Sequence, residues 1–337
     1  MATEGKIQER KFSPELQKKI SLQFLKKITK DFSDDQKICR DAFGTLYKGI
    51  LDDDQVIAIK KLEETALLAI GKAFDKEVQH IMDLKHENVV ELVGYCSEVE
   101  MKVLQVDGKY INAEITESLL CYEYLPNGSL HDYLFGTTEA QESSSAERSI
   151  HWDGRFKIIK GICKGLLFLH NLDNPIIHMD LNHNSIWLGE NMEPKIGNFG
   201  LSRLFGHDQT RMRTETVVGS CGYMAPEYIY DGVISAQADI YSLGLMIIEI
   251  STGEKNHPDD KQLSGREYIE IVRRKLLEDL KIRMDWTAEH IASVYSSYDA
   301  ERLQQVYACI EIGLECVQLD RTKRPPIEKI VDRFNTV

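Results

Sequence analysis

The sequence predicts an α+β protein whose first part is rich in strands and whose second part is rich in helices. Strand patterns between turn residues recur from Ile38 to Leu120, interrupted by one helical pattern that reaches Leu84. Residues 154–170 then place apolar side chains at helical spacing. A length of 337 residues suits a single fold of two lobes or two small domains.

Composition and charge narrow the class of partner. The chain has 42% hydrophobic and 28% charged residues, which is typical of a globular protein, and a formal net charge of -13. This negative charge argues against nonspecific binding to nucleic acid or to an anionic membrane surface. Binding of basic partners is electrostatically more favourable.

The start of the chain and the cysteines predict a soluble, cytoplasmic protein. Met-Ala-Thr-Glu-Gly lacks the apolar segment of a signal peptide, and Ala2 stands where myristoylation needs a glycine. No apolar run approaches the roughly 18 residues of a membrane span, since Glu249 interrupts the best candidate. The seven cysteines have no C-x-x-C spacing, which favours reduced, mostly buried thiols over disulfides or a zinc site. An alternative is that the chain is the intracellular part of a larger protein.

Residues 1–32 are interpreted as a helical packing arm. Apolar residues between 14 and 30 recur at near-helical spacing with lysines between them, which indicates an amphipathic helix. The stretch from Ile38 to Gly49 then has the pattern of a strand, a turn and a strand. Such a turn binds phosphate where glycines let backbone N–H groups approach it, and the alternative is an ordinary hairpin.

Two later stretches are interpreted as surface structure. At about residues 97–120, Asp107-Gly108 joins two β-rich runs, which predicts an extended hairpin. We interpret this hairpin as a structural elaboration, with a partner surface as the alternative. Residues 136–149 are polar, small and non-periodic, which indicates a flexible loop.

The most informative stretch is residues 178–200, where the chain runs His-Met-Asp-Leu-Asn-His-Asn-Ser and, further on, Asn-Phe-Gly. It resembles the H-R-D-L-x-x-x-N and D-F-G signatures of eukaryotic protein kinases. By this resemblance Asp180 holds the position of the catalytic base. Met179 replaces the arginine, Ser185 replaces the metal-binding asparagine, and Asn198 replaces the Mg²⁺-binding aspartate.

The resemblance implies a bilobal protein-kinase fold. The small lobe, residues 33–126, would carry an antiparallel sheet and one main helix, and the larger lobe, residues 127–337, would be mostly helical. Within kinases the chain is most similar to plant receptor-like and receptor-like cytoplasmic kinases, particularly grass members. Met179 places it with the non-RD members, which lack the arginine before the catalytic aspartate and are associated with innate immunity.

Further kinase signatures implicate pairs of residues. Ile-Ala-Ile-Lys at 57–60 is similar to V-A-I-K, so Lys60 would face the nucleotide phosphates and pair with Glu77 on a helix; the alternative is an exposed strand lysine. Ala-Pro-Glu, ending at Glu227, is similar to A-P-E, and Glu227 would pair with Arg324. Asp239 would bind backbone N–H groups near the catalytic stretch.

A hinge and a phosphate loop complete the expected nucleotide cleft. Residues 119–130 resemble the hinge of plant receptor-like kinases, so Tyr122 would lie at the back of the pocket, with the backbone of Glu123 and Leu125 at an adenine edge. In the phosphate loop, the first two glycine positions hold other residues and only one glycine remains. These three positions are Cys39, Asp41 and Gly44.

These departures predict a degenerate nucleotide cleft and a pseudokinase that acts as a scaffold or as an allosteric or decoy partner. An amide such as Asn198 offers Mg²⁺ one neutral oxygen in place of a carboxylate, and Ser185 is too short to reach the second metal position. Asp180 would then be a vestigial base. The alternatives are a weakly active serine/threonine kinase that uses Asn198 or water as a metal ligand, and one module of a tandem-kinase or receptor chain.

The expected ligands and partners follow from this prediction. No cofactor or metal is required, and the alternative is weak ATP binding without Mg²⁺. The partners would be other protein kinases or immune receptors, reached in the cytoplasm or at the inner face of the plasma membrane. Phosphorylation of the activation segment would alter a binding surface rather than switch on catalysis. The candidate acceptors are Thr210, Thr214, Thr216 and Ser220.

Overall fold

A computed structural model describes most of the chain. The described residues are 19–41, 43–63, 78, 81–106, 109–136, 150–206, 209–255, 291, 293–295 and 297–337. They fall into two compact units, one within residues 1–85 and 91–124 and the other within residues 86–90 and 125–337. None of the helices described is long and apolar enough to cross a membrane.

The first unit is organised by one antiparallel sheet of five strands in the order β1-β2-β3-β5-β4. The central strand is buried on both faces, as its run of Ile57, Ala58 and Ile59 predicts. β4 and β5 are 15 residues each and pair along their length, so the predicted hairpin is part of two long strands, although its Asp107-Gly108 turn lies outside the described residues. The strands are β1 Lys37–Arg40, β2 Gly44–Ile50, β3 Val56–Leu62, β4 Leu92–Val106 and β5 Lys109–Glu123.

The arm packs on this sheet through helix α1, Leu22–Ile28. Ser21 begins the helix, and its Oγ accepts a hydrogen bond from the Phe24 N–H group at 3.3 Å. Leu25 and Ile28 are buried and belong to one apolar cluster with residues of β3 and β5. The amphipathic pattern of the arm is therefore used for packing in the part that the structure describes.

The second unit is mostly helical and is built around α5, whose side chains are buried nearly all round. Gly244 of α5 lets α6 approach closely, because a Cβ atom there would lie 2.9 Å from the carbonyl oxygen of Gly313. The helices are α2 Leu130–Phe135, α3 Trp152–His170, α4 Pro226–Asp231, α5 Ala236–Thr252, α6 Ala300–Cys316 and α7 Ile327–Asn335. The unit also contains short strands of two or three residues, which are β6 Ile176–Ile177, β7 Ile186–Leu188, β8 Pro194–Ile196, β9 Arg203–Leu204, β10 Met212–Arg213 and β11 Val233–Ile234. They form three two-stranded sheets, in which β6 pairs with β9, β7 with β8 and β10 with β11.

The α+β class is confirmed, with a five-stranded antiparallel sheet in one unit and helices dominating the other. The predicted lobe boundaries at residues 126 and 127 stay predictions. Of the predicted helix that carries Glu77 and reaches Leu84, the structure describes Val78, Ile81 and Met82 as helical, and the helix ends before Asp83 and Leu84.

Candidate nucleotide and catalytic site

The stretch that begins at His178 is fixed by a carboxylate on the first turn of α5. Asp239 is 1% exposed and accepts hydrogen bonds from the N–H groups of His178 at 2.7 Å and Met179 at 2.8 Å. Its Oδ2 atom also lies 2.9 Å from Nε2 of His170, at the end of α3. Because a buried carboxylate must be hydrogen-bonded, Asp239 joins α3, α5 and the catalytic stretch.

Met179 and Asn198, which stand at two of the kinase motif positions, adopt the left-handed backbone conformation. Met179 has φ 67° and is buried, and Asn198 has φ 65° and ψ 55°. This conformation is uncommon for a methionine and persists only where the surroundings impose it. Asp239 imposes it by holding the N–H group of Met179. The His178 ring contacts both the Gly197 carbonyl oxygen, at 2.8 Å from Nε2, and the Phe199 ring, at 5.2 Å between centroids.

Asp180, the candidate base, is 7% exposed and is hydrogen-bonded to the activation segment. Its Oδ1 atom accepts a hydrogen bond from the Ser220 N–H group at 2.9 Å. The Asn182 side-chain amide donates to the Asp180 carbonyl oxygen at 2.8 Å and to Ser220 Oγ at 3.0 Å. The carboxylate is therefore held in a defined place by the chain's own backbone.

Ser185 directs its hydroxyl group to its own turn. The side chain is fully buried, and Oγ donates to the Asn182 carbonyl oxygen at 2.7 Å while accepting from the Asn182 N–H group at 3.0 Å. These bonds close the short 3₁₀ helix His183–Ser185. The oxygen that would have to coordinate a metal ion is thus used as a local cap.

The donor set does not fit Mg²⁺. This ion demands near-octahedral oxygen coordination and is usually held by carboxylates, whereas these positions offer the Asn198 amide and the engaged Ser185 hydroxyl. Across the described part of the chain, no group of three or more His, Cys, Asp or Glu side chains is arranged to hold a metal ion.

The phosphate-loop position lies between β1 and β2 and contains an ion pair. Asp41 Oδ1 accepts hydrogen bonds from the N–H groups of Phe43 at 2.8 Å and Gly44 at 3.0 Å. Its Oδ2 atom lies 2.6 Å from Lys60 Nζ. Lys60 is 8% exposed, so it is not an exposed strand lysine, and Cys39 lies exposed on β1. The sequence analysis identified Asp41 as the residue at a glycine position of the phosphate loop but missed its ion pair with Lys60.

Gly44 is required by the sheet. A Cβ atom at this position would lie 2.1 Å from the Lys61 carbonyl oxygen on β3. The remaining glycine of the loop is thus explained by strand pairing without any phosphate. The predicted partner of Lys60, Glu77, lies outside the described residues.

The hinge residues are buried, and one of them has a structural role. Tyr122 and Glu123 end β5 and are 8% and 7% exposed, and burial raises the pKa of the Tyr122 hydroxyl. Glu123 Oε1 accepts a hydrogen bond from the Glu91 N–H group at 2.9 Å, and the Glu123 N–H group donates to the Glu91 carbonyl oxygen at 3.0 Å. Leu125, which is 8% exposed, belongs to the second unit.

The structure brings Glu227 and Arg324 together. Arg324 is 3% exposed and makes two parallel contacts with the carboxylate of Glu227, at 2.6 and 2.8 Å. It also donates to the carbonyl oxygens of Gln318 and Gln237, at 2.8 and 2.7 Å. Such a bidentate, buried pair adds geometric specificity as well as energy.

The candidate phosphate acceptors of the activation segment differ in accessibility. Thr210 and Thr216 are exposed, and Thr214 is half-buried. Thr214 Oγ1 donates to the Thr216 carbonyl oxygen at 3.0 Å and accepts from the Thr216 N–H group at 3.2 Å. Ser220 is the acceptor candidate that contacts Asp180 through its N–H group.

Sequence reasoning missed a buried polar group around His183. His183 Nδ1 lies 2.9 Å from the Tyr223 hydroxyl, which donates to Glu249 at 2.6 Å. The pKa of His183 is lowered to about 3, mainly by burial and then by the charges of His131 and Lys255, although Glu249 lies 3.3 Å from Nδ1 and opposes this shift. The other ring nitrogen, Nε2, is buried with no hydrogen-bond partner among the described residues. Only the presence of a histidine beside the catalytic motif could have signalled this group.

Comparison with known proteins finds the family model described as "Protein kinase domain" over residues 32–334. The chain is 36% identical over 315 residues to "Cysteine-rich receptor-like protein kinase 26" of Arabidopsis thaliana, which covers 93% of this chain and 43% of that protein. It is 36% identical over 309 residues to "G-type lectin S-receptor-like serine/threonine-protein kinase SRK" of the same plant, covering 90% and 33%. "Cysteine-rich receptor-like protein kinase 6" of Oryza sativa subsp. japonica is 34% identical over 314 residues, covering 92% and 40%. The chain spans less than half the length of each of these relatives.

Proposed function

Because the chain belongs to the protein kinase family and has plant receptor-like kinases among its relatives, we propose that it is a pseudokinase signalling module. It acts as a scaffold or as an allosteric or decoy partner, with little or no phosphoryl transfer. One observation carries this proposal: Ser185, at a metal-binding position, uses its buried hydroxyl group to cap its own turn.

The physical argument concerns charge stabilisation. Phosphoryl transfer depends almost entirely on positioning and on cations that neutralise the developing charge. Loss of one preorganised stabilising group costs about 10²- to 10³-fold in rate, and such losses need not add. Asp180 is a positioned base, but it achieves little when no group positions the phosphate.

The direct test is transfer of radiolabelled phosphate from ATP, with Mg²⁺ or Mn²⁺, to the chain itself and to a generic protein substrate. We expect no transfer above that of Lys60→Met, in which the lysine charge is lost. Robust activity that disappears in Lys60→Met would overturn the proposal. Restoring the metal positions with Ser185→Asn and Asn198→Asp together should not restore full turnover, because Asp41 remains in the phosphate loop.

A second candidate function is weak serine/threonine kinase activity. It is favoured by the defined position of Asp180, whose carboxylate is fixed by the Ser220 N–H group at 2.9 Å, and by relatives whose names state this activity. In that case Asp180→Asn should abolish a slow, metal-dependent transfer that wild type shows. Unchanged incorporation in Asp180→Asn would eliminate this candidate.

The biological setting is part of the proposal. The partners would be other protein kinases or immune receptors, met in the cytoplasm or at the inner face of the plasma membrane, and Met179 supports the immune setting only through the non-RD resemblance. The relatives are longer than this chain, which supports a role as one module of a receptor or tandem-kinase protein. Affinity purification from plant tissue before and after an immune stimulus tests this. Absence of any kinase or receptor among the captured proteins would contradict it.

A further inference from the structure

The loop between β1 and β2 contains an anion site that the chain's own carboxylate fills. Two adjacent backbone N–H groups, those of Phe43 and Gly44, point at Asp41 Oδ1 from 2.8 and 3.0 Å. A lysine ammonium group lies 2.6 Å from Oδ2. Convergent N–H groups beside a lysine are the groups that hold a phosphate oxygen in nucleotide-binding loops. Here a carboxylate occupies that position.

The loop is also fastened to the sheet around this carboxylate. The Asp41 N–H group donates to the Gly44 carbonyl oxygen at 2.9 Å, and the Glu63 N–H group donates to the Phe43 carbonyl oxygen at 2.9 Å. The Phe43 ring centroid lies 5.5 Å from Lys60 Nζ. The Lys60 side chain is 9% exposed, so its contact with Asp41 is shielded from water on the lysine side. Displacing the Asp41 carboxylate from this loop therefore breaks its two hydrogen bonds with the N–H groups of Phe43 and Gly44 and its ion pair with Lys60.

We propose that Asp41 determines ligand specificity by occupying the phosphate position. The loop then rejects nucleoside polyphosphates relative to nucleosides that lack phosphate groups. This inference rests on the proposed function, since it assumes a kinase-derived cleft that does not transfer phosphate.

Electrostatics gives the reason for this selectivity. A polyphosphate that approaches Lys60 must either displace the carboxylate, which leaves Asp41 without its cation, or bind beside it and be repelled. Both outcomes weaken phosphate binding. A nucleoside without phosphates encounters neither cost, because it does not need the loop.

The test measures dissociation constants by calorimetry for the full chain with three probes: adenosine, ATP and inorganic tripolyphosphate, all without divalent metal. Asp41→Asn keeps an oxygen that accepts the loop N–H groups but removes the charge. We expect this change to strengthen ATP and tripolyphosphate binding by at least about tenfold and to leave adenosine binding within about twofold. Asp41→Ser, which also keeps an acceptor in the turn, should act in the same direction.

Asp53→Asn is the matched control. Asp53 Oδ1 accepts a backbone N–H bond from Gln55 at 3.3 Å in the next turn of the same sheet, and its replacement changes net charge equally. We expect the three dissociation constants of this variant to match those of wild type. A gain in phosphate binding as large as that of Asp41→Asn would mean that net charge alone is responsible and would overturn the proposal.

The remaining outcomes also test the proposal. If both Asp41 variants bind ATP and tripolyphosphate no better than wild type, including no binding in any of the proteins, the inference is wrong. An equal gain for adenosine overturns it too, because selectivity would be unchanged. Transfer of radiolabelled phosphate is measured separately. Robust transfer by wild type rejects the proposed pseudokinase function. If wild type shows no transfer but the Asp41 variants bind phosphate no better than wild type, only the role of Asp41 is rejected.

Discussion

Two groups of residues differ in what their side chains contact. The first group, called the anchors, is Asp239, Glu227 and Arg324; the second group is Ser185 and Asp41, which stand at positions expected to hold metal and phosphate. Asp239 binds the backbone 60 and 61 residues away, and Arg324 binds Glu227 at a separation of 97 residues. Ser185, in contrast, bonds to a residue only three positions away. Asp41 likewise accepts N–H bonds from residues two and three positions away, besides its contact with Lys60.

This contrast separates two kinds of constraint on the chain. A long-range buried pair joins segments that would otherwise leave charged groups unpaired in the interior, so its loss endangers the fold. A ligand position can instead be satisfied by a nearby backbone group, and the fold then keeps its shape without the ligand. In this chain the anchors are present, while the side chains at the expected metal and phosphate positions bond to the chain itself. We expect this arrangement in a protein that uses the kinase fold for binding.

The largest expected effect is on an anchor. Arg324→Met removes the cation from a buried bidentate pair and leaves the Glu227 carboxylate without it, which should lower the free energy of unfolding by about 3–5 kcal/mol. Arg333→Met is the control, because Arg333 contacts Glu311 and Glu315 at the surface and should contribute about 0–1 kcal/mol. Urea titration measures both. Equal losses in the two variants would erase the distinction between anchor and surface pair.

The second prediction concerns pH. His183 has its pKa lowered to about 3 in the fold, below the ordinary value near 6.5, so between these values the unfolded chain binds a proton that the folded chain does not. Stability is therefore lost as the pH falls below about 6.5, by about 2 kcal/mol at pH 5 from this residue.

His183→Phe tests this by removing the ring nitrogens. Its free energy of unfolding should fall less than that of wild type between about pH 7.5 and pH 5, even though the variant loses its contact with Tyr223. His151→Asn, which removes an exposed histidine, controls for the loss of one imidazole. A pH dependence of His183→Phe identical to that of wild type would mean that His183 has the same pKa in the folded and the unfolded chain, with Glu249, 3.3 Å away, offsetting the effect of burial.

The sequence alone predicted the fold class, because ordered motifs and hydrophobic periodicity recur through the whole chain. It also named Asp239, Glu227 and Arg324, since their motifs imply partners far along the chain. It could not reveal that Asp41 pairs with Lys60 or that Ser185 caps its own turn. Those contacts depend on side-chain rotamers and local backbone turns, which a motif leaves open. The His183 group was missed for another reason: its members are brought together only by tertiary packing.

The smallest expected effect distinguishes a cap from a metal ligand. Ser185→Ala removes the hydroxyl that bonds both the N–H group and the carbonyl oxygen of Asn182, and loss of such a cap costs about 1 kcal/mol in the free energy of unfolding. Since the hydroxyl faces its own turn, Ser185→Ala should leave the Mn²⁺-dependent part of any ATP-induced shift in Tm unchanged. Asn198→Ala is the companion variant, because it removes the amide group at the other position expected to bind metal. If Ser185→Ala keeps its stability but abolishes a Mn²⁺-dependent shift, the hydroxyl group serves a metal ion, and the contrast between anchors and ligand positions fails at this residue.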